Sequence, residues 1–211
     1  MPPDSLMWSV GGATLENFLV VADAWSHAMA SYIQPDSTVL DIGCGCGRAA
    51  RSLVLHPFVS RYIGFDVIVE NVEWCRNFIE PRASGRASFV HYDLYSAEYN
   101  PAATMRAAEL VFPCEDQSVD LILAASVFTH LLEPDAVHYL HEIGRVISSR
   151  GYAMLSIHTN VPPGTAFSGT ETRIDMAPRY FVELAARAGL KARAEIVDLC
   201  GQHVLFFSKP S

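Results

Sequence analysis

Hydrophobic positions along this chain alternate between two periods. Leu15, Phe18, Leu19, Ala22, Trp25, Met29 and Ile33 recur at intervals of three and four, which predicts an amphipathic helix over 15–33. Thr14 stands where an N-cap belongs, and Pro35 lies just past the end. The period then shortens. Val39, Leu40 and Ile42 form a compact, partly β-branched run that predicts a buried strand, after which Ala49, Ala50, Leu53 and Val54 return to helical spacing. The same switch recurs downstream. Strands are predicted over 61–67, 87–94, 119–125 and 152–157. A helix carries Val69, Val72, Cys75 and Ile79 and closes at Pro81; another starts at Pro134 and turns Val137, Leu140, Ile143, Val146 and Ile147 inward; a third spans 180–188 with Gly189 as its C-cap. Two last strands, 190–199 and 203–208, flank Cys200-Gly201-Gln202, a connection of hairpin length.

Three stretches interrupt the alternation. Met7-Trp8-Ser9-Val10-Gly11-Gly12 is a partly apolar arm, readable as cover for a site or as disorder. Residues 95–115 are long for a connection between a strand and its successor. Residues 158–178 are rich in Pro, Gly and Thr. No repeat or low-complexity linker divides the 211 residues, so one domain over 1–211 is expected, with 1–35 as its N-terminal arm and helix.

Composition narrows the function classes. Half of the residues are hydrophobic, enough for a core without disulfides or metals. The net charge is -8 and there are only two lysines, Lys191 and Lys209, so the basic stripe that a phosphate backbone requires is missing and no nucleic-acid partner is expected. No apolar run reaches membrane-spanning length and the N-terminus lacks a signal-peptide pattern; the expectation is a cytoplasmic protein without a membrane partner. The five cysteines are odd in number and scattered, unlike a disulfide framework. Cys44-x-Cys46 has no second Cys or His pair at zinc spacing, so no metal is expected.

The candidate chemistry centres on Thr38-Val39-Leu40-Asp41-Ile42-Gly43-Cys44-Gly45-Cys46-Gly47-Arg48. A buried strand ends in an acid, breaks into alternate glycines and restarts as a helix. Glycine serves where φ is positive or where a ligand must approach the backbone closely. A dinucleotide fingerprint, G-x-G-x-x-G, would put its third glycine at Arg48 and so fails. No P-loop pattern is present either. Asp66 ends the next predicted strand, about twenty residues beyond the loop, where a carboxylate can accept from both hydroxyls of a ribose diol.

Asp41-Ile42-Gly43-Cys44-Gly45-Cys46-Gly47 closely resembles motif I of the class I S-adenosylmethionine (SAM) dependent methyltransferases. Phe112-Pro113, Asp116-Gln117-Ser118-Val119-Asp120-Leu121-Ile122-Leu123 and Ser126-Val127-Phe128-Thr129-His130-Leu131 resemble that family's segments around its fourth strand. Gly64-Phe65-Asp66-Val67 and His91-Tyr92-Asp93-Leu94-Tyr95 resemble a bacterial subgroup of small-molecule methyltransferases. Together these matches cover roughly residues 38–157. Ser148-Ser149-Arg150-Gly151 departs from the Lys-Pro-Gly-Gly that the family usually has there. The resemblance implies an α/β, Rossmann-like class I methyltransferase fold: a seven-stranded, mostly parallel sheet with an antiparallel last strand and helices on both faces. It implies SAM as methyl donor and S-adenosylhomocysteine (SAH) as product. The cofactor set it implies is Asp41, Gly43, Cys44, Gly45, Gly47 and Arg48 from the loop, Asp66 and Val67 at the ribose, Asp93 and Leu94 at the adenine, and Ser126 and Val127 after the fourth strand.

The reaction so implied moves a methyl group to an O or N atom of a small molecule, such as a sugar or natural-product intermediate, by a monomer or homodimer. The acceptor site is expected from residues 95–115, 158–178 and the N-terminal arm or helix, which carry Tyr95, Tyr99, Phe112, His158 and Phe167. If a general base is used, His130 and His158 are the candidates, because each follows a central strand on the cofactor edge. His91 reads as structural, His138 and His141 as surface residues of a helix, and His203 as a weak candidate. The Asn/Asp-Pro-Pro-Tyr/Phe signature of nucleic-acid amino-methyltransferases is replaced by Ala125-Ser126-Val127-Phe128. Two other readings stand beside this one: a non-catalytic SAM-fold subunit serving a partner, and a nicotinamide-dependent oxidoreductase, which shares the ribose acid but not the glycine spacing.

Overall fold

The computed structural model describes residues 1–210. Its strands are β1 (Ser37–Ile42), β2 (Val59–Asp66), β3 (Ala87–His91), β4 (Val119–Ala124), β5 (Ile147–Ile157), β6 (Phe167–Thr170), β7 (Arg173–Met176), β8 (Lys191–Leu199) and β9 (Gln202–Ser208). Its helices are α1 (Asp4–Ser9), α2 (Leu15–Ala30), α3 (Ala50–Leu53), α4 (Val69–Phe78), α5 (Glu133–Val146) and α6 (Pro178–Arg187). One seven-stranded sheet runs β3-β2-β1-β4-β5-β9-β8. The first five of these strands are parallel, β9 lies antiparallel on β5, and β8 is antiparallel to β9.

Strand periodicity divides the core into two layers. Leu40, Ile42, Ile63, Phe65, Ile122 and Leu155 pack with Leu140 and Ile143 of α5 and Phe181 and Leu184 of α6. Their sequence neighbours Val39, Tyr62, Leu121, Leu123 and Met154 face the other way, onto Trp25 and Met29 of α2, Leu53 of α3 and Val72 of α4. A fully buried side chain of this size contributes roughly 1.5–3 kcal/mol, so each helix is held by its apolar face more than by propensity. The chain leaves β1 for β2 and β3 on one side, then returns to place β4 on the other. That reversal opens a crevice beyond the carboxyl ends of β1 and β4.

The predicted elements recur with instructive differences. Thr14 caps α2, its side chain accepting the Asn17 N–H at 3.1 Å, but the helix ends at Ala30 and not Ile33. The arm is not disordered. Asp4–Ser9 forms α1, and Met7 is buried with Phe18 and Cys46. Six residues are too few to display a helical period, which is why the pattern concealed it. Strand β3 stops at His91, leaving Asp93 in a loop. The segment 158–178 contains the β6–β7 hairpin, whose strands of four residues are too short and polar to stand out. Strand β5 begins directly after α5, without the expected turn. Buried Asp120 on β4 explains this: its carboxylate accepts from Ser148 Oγ at 2.9 Å, Arg150 Nε at 2.8 Å and Thr38 N–H at 3.1 Å, drawing residues 148–150 along β4.

Candidate active site

Every glycine of the loop after β1 has positive φ: Gly43 at +66°, Gly45 at +53° and Gly47 at +79°. Their duties differ. A Cβ on Gly47 would run into Ile79 and Cys75, so this glycine lets α4 pack beneath the loop. A Cβ on Gly43 would lie 2.8 Å from Val127 Cγ2, and one on Gly45 would collide with Val10. Those two glycines let Val127, after β4, and Val10, in the N-terminal arm, pack against the loop. Arg48 latches the arm in place, its Nη1 donating to the Val10 carbonyl at 2.6 Å.

Two carboxylates support the loop. Asp66, at the end of β2, accepts the Gly45 N–H at 2.7 Å through Oδ2 and the Ile68 N–H at 2.8 Å through Oδ1. Burial pushes its pKa up, opposed by those N–H donors. Asp41 accepts a hydrogen bond from the buried Tyr62 hydroxyl, and burial pushes its carboxyl up to about 7. Cys44, Cys46 and Cys75 are free and buried. Hydrogen bonding to Cys75 and then burial raise Cys44, and burial pushes Cys46 up to about 12, so both are unreactive thiols filling small slots.

A continuous cavity of about 430 Å³ extends from this loop. Asp41, Gly43, Cys44, Gly45, Arg48, Asp66, Val67, Leu94, Ser126, Val127, His130 and His158 all border it. Gly47 lies beneath the wall. Asp93 lies outside it, exposed, with Oδ1 accepting from Asn100 Nδ2 at 3.0 Å. Tyr95, Tyr99, Arg106, Asp135 and Tyr139 border it as well. Phe112 is instead a core residue, and Phe167 packs against the same core from the hairpin; neither borders the cavity.

Ser126, also on the cavity wall, holds an uncommon φ of +62°. Three bonds fix it: its N–H donates to Ser156 Oγ at 2.8 Å, its Oγ accepts from Gln202 Nε2 at 2.5 Å, and its carbonyl accepts from Thr129 Oγ1 at 2.8 Å. Gln202 Oε1 is buried without a hydrogen-bond partner among the described residues, and Gln202 borders the cavity. The sequence did not single out Gln202. It reaches the site only because the terminal hairpin returns beside β5.

His130 is gripped on both ring nitrogens. Nδ1 lies 3.0 Å from the Glu171 carbonyl oxygen and 3.1 Å from Glu98 Oε2, while Nε2 lies 3.3 Å from the Tyr99 hydroxyl. Burial pushes the Tyr99 phenol up to about 12, so it is a neutral O–H donor. His158 follows β5, where burial and then Arg173 push its pKa down. Glu98 and Glu171 were not legible as site residues, since they stand 32 and 41 positions from His130 along the chain. His138 is not a plain surface residue either: its Nε2 lies 2.7 Å from the Leu110 carbonyl and ties α5 to the 95–115 segment.

This sheet order, with a glycine loop and two strand-end acids at the switch point, defines the Rossmann-like class of methyltransferases. A family profile described as a methyltransferase domain matches residues 40–155, more than half of the chain. The chain belongs to that family and is a SAM-dependent methyltransferase. Solved structures share the fold at low identity. The 1,6-didemethyltoxoflavin-N1-methyltransferase of Burkholderia thailandensis, solved with 1,6-didemethyltoxoflavin and SAH bound, aligns over 99% of this chain and 86% of its own, with 19% identity and a TM-score of 0.70. The magnesium protoporphyrin IX methyltransferase of Synechocystis PCC 6803, solved with SAH, covers 91% and 83% at 14% identity and a TM-score of 0.65. The (4+2)-cyclase SpnF covers 89% and 81% at 17% identity and a TM-score of 0.69. A cyclase among them shows that likeness at this level carries the fold, and the site must carry the chemistry.

Proposed function

We propose that this chain transfers the methyl group of SAM to an oxygen or nitrogen atom of a small molecule, such as a sugar or natural-product intermediate. The observation that carries the reading is one cavity bordered both by the glycine loop and Asp66 and by Tyr99 and His130. The loop residues present fit the donor. Gly43 and Gly45 hold positive φ and border the cavity, Asp66 is a buried acceptor at the end of β2, and Gln202 Oε1 awaits a donor. We assign Asp66 with Val67 to the ribose, Leu94 to the adenine, and Asp41, Cys44, Arg48, Ser126 and Val127 to the remaining wall. Gly47 supports the loop from below. Asp93 would have to turn inward from its bond to Asn100 to take the adenine role.

SAM supplies an activated methyl: the acceptor–carbon bond forms as the sulfur–carbon bond breaks, and the bonding pair leaves with sulfur. The chain's own tasks are alignment and proton removal. Alignment of two reactants is worth roughly 7–11 kcal/mol of barrier, and a positioned base adds about 10²–10⁴-fold. We assign the base to His130, with His158 as a second acceptor-side contact. The 95–115 segment, the β6–β7 hairpin and the N-terminal arm together form the acceptor's cover within one domain of residues 1–211. The protein would act in the cytoplasm as a monomer or homodimer. Tyr99, His130 and His158 on the wall of the same cavity favour a catalyst over a non-catalytic subunit. The test is a methyl-transfer screen with labelled SAM over sugars, phenols and amino compounds. Label in a product, lost in Asp66→Ala, supports the reading; SAH binding with no transfer to any class would favour the non-catalytic subunit.

A further inference from the structure

We infer that Glu98 is a positioning residue that, with the Glu171 carbonyl, fixes His130 as the Nδ1–H tautomer, so that Nε2 presents its lone pair to the methyl acceptor. The inference rests on the methyltransferase reading and concerns how the acceptor loses its proton. Two oxygen acceptors converge on Nδ1, the Glu171 carbonyl at 3.0 Å and Glu98 Oε2 at 3.1 Å. A lone pair on Nδ1 would face both of them, so the proton of a neutral imidazole belongs on Nδ1. Nε2 is then the acceptor, and it faces the Tyr99 hydroxyl across 3.3 Å, the long end of hydrogen bonding. Tyr99 meets the ring edge-on, with centroids 5.2 Å apart.

This arrangement gives the 95–115 segment a function that its sequence does not advertise. Glu98 and Tyr99 are adjacent, yet they reach opposite nitrogens of one ring. Their loop is pinned by reciprocal backbone bonds between Ser96 and Asn100 and by the Tyr99 N–H on Ser96 Oγ. When an acceptor hydroxyl or amine replaces the Tyr99 hydroxyl at Nε2, the methyl arrives on the acceptor atom and the acceptor's proton moves to Nε2. Glu98 then stands as counter-charge to the imidazolium. Other titratable or charged groups on the surrounding elements are His158 with Arg173 and Asp175 on the β5–β7 side, Asp135 on α5 and Arg106 on the insertion.

The test needs no known acceptor. In ¹⁵N-labelled full-length protein at about pH 8.5, above the ordinary imidazole range, long-range ¹H–¹⁵N spectra report the tautomer, and His130→Ala assigns the signals. We expect Nδ1–H at His130 in the wild type. Glu98→Ala should lower the Nδ1–H to Nε2–H ratio several-fold, the loss of a part-exposed carboxylate 3.1 Å from Nδ1 while the hydrogen bond to the Glu171 carbonyl remains. Glu98→Gln, whose amide oxygen can still accept, should restore most of it. A wild-type Nε2–H tautomer, or a ratio unmoved by Glu98→Ala, would overturn the inference. Should Glu98→Ala fail to fold, the wild-type tautomer still decides. Calorimetry with SAH separates the two levels: no SAH binding by the wild type would sink the methyltransferase reading, whereas intact binding with the wrong tautomer would sink only the role of Glu98.

Discussion

The two ends of the cavity are built by opposite strategies. The donor end comes from contiguous chain: a strand, a glycine loop and a helix start within residues 37–53, braced by one acid at the end of the neighbouring strand. The acceptor end is assembled from segments far apart in sequence: Tyr99 and Glu98 from the insertion, His130 after β4, and Glu171 from the hairpin turn. A shared cofactor can be met by one local motif on a rigid sheet, whereas a particular acceptor is met by loops. The difference suggests that substitutions at the donor end act on binding, and those at the acceptor end act on turnover.

Gly45→Val is the hardest test of the donor end. Positive φ disfavours a branched residue, and Val10 already occupies the space its side chain needs. SAH binding should be lost by calorimetry while circular dichroism stays native; retained binding would mean that the ligand does not lie on this loop. His130→Ala probes the other end. Turnover with an identified acceptor should drop about 10²–10⁴-fold, with SAH affinity nearly unchanged. A parallel fall in affinity and stability would make His130 a packing residue and blur the division. Asp66→Ala should weaken SAH binding about ten- to hundredfold, the effect of losing one buried charge-assisted contact. Equal affinity would remove Asp66 from the donor site.

A separate effect concerns pH. Asp41 is raised from 3.8 to about 7 by burial, so the folded state holds that proton more tightly than the unfolded chain does. Its contribution is therefore greatest below about pH 4, declines as pH rises to about 7 and is level beyond, with a slope of at most about 1.4 kcal/mol per pH unit. Asp41→Asn keeps an oxygen for the Tyr62 hydroxyl and lacks the titration. Urea unfolding across pH 4–8 should show the stability difference between wild type and variant changing in that window alone. A constant difference would mean that Asp41 ionises at its ordinary value in the fold.

The same contrast explains what the sequence made legible. Val39–Ile42, the alternate glycines and Asp66 obey local rules, so the sheet core and donor loop were readable. The terminal hairpin was readable too, because Cys200-Gly201-Gln202 is a connection of hairpin length between two predicted strands; Cys200 and Gly201 take positive φ there. Helix α1 and strands β6 and β7 escaped because four to six residues cannot show a period. Asp93 was placed by resemblance at a strand end, but β3 closes two residues earlier and Asn100 holds the side chain outside. Gln202, Glu98 and Glu171 were invisible for another reason: each becomes part of the site through tertiary pairing that no local pattern encodes.

The most direct measurement is calorimetric titration of the wild-type protein with SAH and, separately, with NAD. The cavity's glycine spacing and open loop predict one SAH per chain and no heat from NAD. Binding of NAD with silence toward SAH would contradict the account.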